Sequence, residues 1–187
     1  MSRCTVTLVA LASLTGCSLF QTRAVRLQRA QAEVVASRRY VDETFGFEVK
    51  RPSGAWDLTE TDSVTEDGIA IPIILKHRAS GAQVVLQVAP AVATPTQYAE
   101  RITRGLARQA GFETSDLRPL PLSDSAVGFD FSLEGQMDGK VAVREGGPGN
   151  IFMLMATWPR GVAATVPQNV DAIFESLQPV PTRIVAR

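Results

Sequence analysis

Two cysteines and one histidine are all that this 187-residue chain offers to the chemistries that need them. Cys4 lies in a leading segment that reads as removed on export, and Cys17 stands at the end of that segment. The mature chain then has no second thiol, which excludes an internal disulfide, a cysteine nucleophile and a cysteine metal site. His77 stands at the end of an expected strand, no Gly-x-Ser-x-Gly elbow occurs, and the "RASG" after it reads as a turn, so a hydrolase triad has no framework. A structural histidine is expected there, and no enzyme activity. Excess charge is missing as well: 19 basic and 19 acidic residues cancel, which argues against general nucleic-acid binding. The acidic stretch "DLTETDSVTEDG" (Asp57, Glu60, Asp62, Glu66, Asp67) lacks EF-hand spacing and reads as a solvated hairpin loop, with weak divalent-ion binding as the alternative. "GGPGN" is glycine-rich but is expected between two strands, whereas a phosphate loop opens a helix. No cofactor and no metal site is implied.

Also lacking is a run of about 20 apolar residues, the length that crosses a bilayer as a helix. The most apolar stretch, from Thr5 to Phe20, is interrupted by Thr7, Ser13 and Thr15, and polar residues begin at Gln21. With Arg3 before it and the small pair Thr15-Gly16 near its end, it follows the grammar of an export signal. Its last four residues, Leu14-Thr15-Gly16-Cys17, resemble the lipobox of bacterial lipoproteins. The resemblance implies a lipoprotein signal peptide over residues 1–16, cleavage before Cys17, and acyl chains on Cys17 that hold the mature protein to a membrane. One acyl chain anchors only marginally, while two or more are stable. An ordinary secretory signal with an incidental cysteine is the alternative. By the sorting rule of that family, Ser18 in place of Asp points to the outer membrane of the cell envelope, facing the periplasm.

Residues 17–39 read as a lipid-anchored basic tether. "RAVRLQRAQAEVVASRR" carries Arg23, Arg26, Arg29, Arg38 and Arg39 against Glu33 alone, and Leu27, Ala30 and Val34 share one side at helical spacing. A helical tether resting its arginines on anionic headgroups is one reading, and a solvated linker is the other. The globular part is expected over 40–181, followed by a tail at 182–187. Phe45, Phe47 and Val49 alternate with polar residues, as do Trp56 and Leu58, and then Ile69, Ile71, Ile73 and Leu75, followed by Val84 to Val88. Pro72 cannot donate to a ladder, so its strand lies at an edge or carries a bulge. Thr94, Pro95 and Gln97 open a helix with a capping box, Tyr98, Ile102 and Leu106 form its buried stripe, and Gly111 is placed to end it. Val127, Phe129, Phe131 and Leu133, then Val141 and Val143, then the more continuously apolar Ile151 to Ala156, give three strands with turns at "MDGK" and "GGPGN". Thr165 and Gln168 form a capping box for a last helix whose stripe is Val170, Ile173, Phe174 and Leu177, and Pro179 and Pro181 stop it. Strands, helix, strands and helix without a regular βαβ alternation give an α+β fold, an antiparallel sheet with two main helices packed against it.

"FGFEVKRPSGAW" resembles the opening motif of the PsbP-like fold, and "VDAIFESLQPV" its closing helix, which frames the chain from Tyr40 to Pro179. The fold includes DcrB-like bacterial lipoproteins, which share the anchor. The resemblance implies binding, assembly or stabilisation of larger machines rather than catalysis, and it carries over no catalytic residue. The expectation is therefore a non-enzymatic, lipid-anchored envelope module that docks on a membrane-associated protein partner, with Trp158 and Arg160 as a candidate contact edge. Trp158 buried in the core is the alternative for that edge. The second functional class is a carrier of a small apolar ligand or lipid between sheet and helices, suggested by Phe152, Met153, Leu154, Met155 and Trp158, whose plain reading is core packing.

Overall fold

The alternating segments do become strands, and the two capped apolar stripes become helices, in the computed structural model, which describes residues 38–181. The expected signal peptide, Cys17, the tether before Arg38 and the tail at 182–187 lie outside the described residues. In chain order the elements are β1 (Arg39–Asp42), β2 (Phe47–Lys50), β3 (Trp56–Val64), β4 (Ala70–His77), β5 (Gln83–Pro90), α1 (Pro95–Ala107) and β6 (Phe112–Thr114). There follow β7 (Arg118–Pro119), β8 (Val127–Leu133), β9 (Met137–Glu145), β10 (Asn150–Pro159), α2 (Thr165–Ser176) and β11 (Gln178–Pro179). The fold is mixed α+β. An antiparallel eight-stranded sheet runs β3-β4-β5-β10-β9-β8-β6, with β7 also on β8, and a small sheet runs β1-β2-β11.

Both faces of the large sheet are covered, so its inner strands send successive side chains into two different cores. On β10, Phe152, Leu154 and Ala156 join Phe47, Trp56, Leu86, Ile173 and Phe174 in one cluster. Ile151 and Met153, between them, join Tyr98, Ala99, Phe129, Val141 and Val143 in the other. Helix α1 lies against β6, β8 and β9, and α2 against β2 and β10. The Thr94–Gln97 capping box forms as expected: Thr94 Oγ1 accepts from the Gln97 N–H at 3.3 Å and the Thr94 N–H donates to Gln97 Oε1 at 3.0 Å. Helix α2 is tied down by the Lys140–Asp171 ion pair and by Arg144 Nη1, which donates to the Leu177 carbonyl at 2.7 Å, where the helix ends.

Several details differ from the sequence expectation, each for a local reason. Pro72 lies in an inner strand, not an edge, and it carries the bulge: β4 spends one extra residue against β5 between Ala70 and Ile73. The added residue reverses the side-chain parity, so Ile73 and Leu75 enter the first core while Ile69 packs on the second. Most of the acidic stretch is strand β3 rather than a loop: Trp56 and Leu58 pack inward with Asp57 in solvent between them, and beyond Leu58 the strand is held by its pairing with β4 while Glu60 and Asp62 stand exposed. The β8–β9 turn falls at Glu134-Gly135, ahead of "MDGK"; both residues have positive φ (50° and 65°), the geometry of a tight hairpin, and Asp138-Gly139-Lys140 continues the strand. No Thr165–Gln168 capping box forms, because Ala164 is already helical (φ −56°, ψ −21°) and takes the cap position, leaving Thr165 inside the first turn. Helix α1 ends at Ala107, and Gly111 (φ 84°) instead turns the chain into β6. Arg38 and Arg39, read as tether, belong to the folded unit: Arg39 opens β1.

Two of these features generate predictions. Gly139 is buried directly across from Phe131, whose ring lies over it; a Cβ there would come within 2.5 Å of Phe131 Cε1. Gly139→Ala should therefore destabilise the fold by about 1–3 kcal/mol, the cost of forcing an extra methyl into a packed core, measured by denaturant unfolding. In the small sheet, Arg39 Nη2 stands 2.6 Å from Glu48 Oε2 and Lys50 Nζ 3.6 Å from Oε1. The hydrogen bond from Arg39 holds the Glu48 carboxyl below its ordinary value of 4.5. A carboxylate whose folded pKa is depressed stabilises the protein above its unfolded pKa and loses that contribution as pH falls through the folded one. The stability difference between the wild type and Glu48→Gln should thus be level at neutral pH and shrink below pH 4.5; a difference independent of pH would refute the pairing.

Candidate interaction surface

The parity reversal in β4 has a counterpart in its neighbour. Strand β3 gains one residue against β4 between Glu60 and Ser63, so two bulges lie side by side. Thr61 Oγ1 bridges the irregularity by donating to the Ile71 carbonyl at 3.0 Å and accepting from the Ser63 N–H at 2.9 Å. A groove of about 480 Å³ lies between this bulged end of the sheet and the β1–β2 hairpin. Its walls are Tyr40 to Phe45 on one side and Glu60 to Val64, with Ala70 to Pro72, on the other.

The groove is acidic and partly apolar. Asp42, Glu43, Glu60 and Asp62 line it, and no Lys, Arg or His does among the described residues. Asp42 Oδ1 accepts from the N–H groups of Thr44 and Phe45 at 2.8 and 2.9 Å, which fixes the hairpin turn. Tyr40 stacks near Phe47 at 6.0 Å between ring centroids. Burial pushes its phenol up to about 12, and the Asp42 and Glu60 charges and a hydrogen bond to Glu60 add to the shift. Val41 and Val64, 38% and 63% exposed, are two of the three large hydrophobic residues left exposed in the described chain, and both line this groove.

The residues singled out from sequence are placed differently. Trp158 is half-buried and packs on the first core, while Arg160 is exposed and held by Asp138, with Nη2 and Nε at 2.8 and 3.2 Å from Oδ1. The two lie at one strand end, but the indole is turned to the core and the guanidinium is already paired. His77 Nδ1 lies 2.8 Å from Ser80 Oγ, and its ring is 5.2 Å from that of buried Trp56, its cross-strand partner. That is a turn-closing contact with no carboxylate in it. The five residues behind the ligand-carrier reading are divided: Phe152, Leu154 and Trp158 face one core, and Met153 and Met155 the other. Strand alternation, which separates neighbours by design, leaves that cluster without a common cavity. Among the described residues no three His, Cys, Asp or Glu side chains gather to hold a metal ion. Cys17 lies outside the described residues.

The sequence reading takes Glu60 and Asp62 as carboxylates of an acidic loop, itself a natural contact surface, and Tyr40 as the start of the globular part, so it does not bring the three together in one groove. The signal was present in the alternation Asp57, Thr59, Thr61, Ser63 against Trp56 and Leu58, which continues the strand through the acids. Compared with known proteins, the chain matches no family model and no curated protein.

The groove's electrostatics can be read directly. A phenol whose folded pKa is raised favours the folded state below its ordinary value of 10 and loses that contribution as pH rises toward 12. The Tyr40 phenolate, followed as the ultraviolet difference between wild type and Tyr40→Phe, should appear near pH 12, and in Glu60→Gln at a lower pH. Ionisation in wild type at the ordinary phenol value would show that Tyr40 does not meet these carboxylates.

Proposed function

We propose that this protein is a lipid-anchored bacterial cell-envelope lipoprotein whose PsbP-like α+β domain acts as a non-enzymatic binding or assembly module for a membrane-associated protein partner. The observation that carries the reading is the run Leu14-Thr15-Gly16-Cys17, placed after an apolar segment that follows Arg3. Acyl chains on Cys17 would hold the domain at the outer membrane, facing the periplasm, with the basic segment before β1 setting its reach. The folded unit supports a binding role through its available surfaces: its one histidine closes a turn, and an open groove beside the β1–β2 hairpin is lined by carboxylates and valines.

Labelled palmitate should be incorporated into the wild-type protein and not into Cys17→Ala. In-cell crosslinking of the full chain should capture a defined envelope protein whose recovery depends on Cys17. Palmitate labelling that persists in Cys17→Ala would refute the anchor, and recovery of the wild-type protein alone would refute the module.

A further inference from the structure

We propose that the groove between the β1–β2 hairpin and β3 is the docking site, and that its occupant is an extended basic segment of the partner protein, which pairs with the free edge of β3. This assignment rests on the binding-module reading and names its surface and the chemistry of its ligand.

Three independent features converge there. First, β1 and β3 are the terminal strands of their sheets, each with one paired neighbour among the described residues, and both border this groove. The outer N–H and C=O groups of β3 therefore have no strand partner among the described residues, and a nine-residue edge is long enough to template an added strand. Second, exposed Val41 and Val64 stand on opposite walls and offer apolar contact to a chain lying between them. Third, the lining charge among the described residues is of one sign, with Asp42, Glu60 and Asp62 on the two walls.

Together these features define the ligand. An extended chain sends alternate side chains to opposite sides, so one set can lie over the valines while the other reaches the carboxylates. Lys or Arg on that second set gains charge complementarity, above all with exposed Asp62; an acidic strand is repelled and an uncharged one gains nothing. The same charges oppose pairing of the long edge with another copy of itself, since two β3 strands would bring Asp57, Glu60 and Asp62 near their equivalents.

The test titrates the full chain with a fluorescent peptide of alternating Arg and Val and reads anisotropy. Three controls accompany it: the same peptide with alternate backbone amides N-methylated, an alternating Glu–Val peptide, and the variants Asp62→Lys and Asp116→Lys. Asp62 and Asp116 are both exposed, so neither change burdens folding. The proposal expects binding of the Arg–Val peptide, a loss of about tenfold with N-methylation or Asp62→Lys, equivalent to about 1.4 kcal/mol, and no loss with Asp116→Lys. Equal binding of the methylated peptide, or equal loss with Asp116→Lys, would reduce the effect to non-specific charge attraction and overturn the proposal. Self-association of the full chain that Asp62→Lys abolishes would make the occupant a second copy and also overturn it. Failure of the peptide to bind while a Cys17-dependent partner is still captured removes the groove and leaves the module reading standing; failure of both removes the module as well.

Discussion

The fold depends on one constraint: β10 is buried on both faces, so every side chain along it must satisfy one core or the other. Phe152, Leu154 and Ala156 face α2, and Ile151 and Met153 face the α1 side. A strand in that position cannot tolerate a one-residue slip, because a slip exchanges the two sets and places Phe152 where Met153 fits. It also requires one covering layer on each face, which the two helices provide. The close fit shows in the glycines. Phe131 lies over Gly139 on one face and Phe152 over Gly146 on the other, each ring filling space that a side chain would take.

Such a constraint is legible in sequence where it makes a pattern. Ile151 to Ala156 is continuously apolar, the mark of a strand with no solvent face, and the clean alternation of Phe129 and Phe131 places β8 with one side on α1. Thr94, Pro95 and Gln97 specify the start of α1 through three local contacts, none of which needs a tertiary neighbour, and that start forms as expected. The cap of α2 did not form although its letters are as good. Whether Thr165 is a cap or a first-turn residue is decided by the backbone arriving from β10, where the Val166 N–H already bonds the Ala163 carbonyl. The bulges at Thr61-Asp62 and Ile71-Pro72 accumulate across three strands, β3 spending one residue more than β4 and β4 one more than β5, and each exists only relative to its neighbour, so neither is visible in its own segment. Short strands such as β6, β7 and β11 have too few residues to show a period and are defined by the partner they join.

The candidate site was hidden by the same logic. Its charged residues come from β1 and its turn and from β3, far apart in sequence, and they meet only in the folded arrangement of the hairpin beside the large sheet. Sequence offered Trp158 and Arg160 on composition, and both residues turned out to have work elsewhere: the indole packs on the core and the guanidinium bonds Asp138. Residue type indicates what a contact surface favours, while occupancy by neighbours decides whether the side chain is available for it.

The two ends of the large sheet are unequal in a way that bears on function. At the far end, β8 is covered by β6 and β7, whose three and two residues leave no continuous edge for another chain to extend. At the near end, β3 is nine residues long and, among the described residues, no strand lies on its outer side. A protein that only needed to avoid aggregation could have ended both sides in the same fragmentary manner. Instead the open edge keeps its length, carries acids that repel its own kind, and borders a groove holding two exposed valines. Charge here acts as a filter on a surface that backbone hydrogen bonding would otherwise make promiscuous, which is the physical form a selective strand-docking site takes.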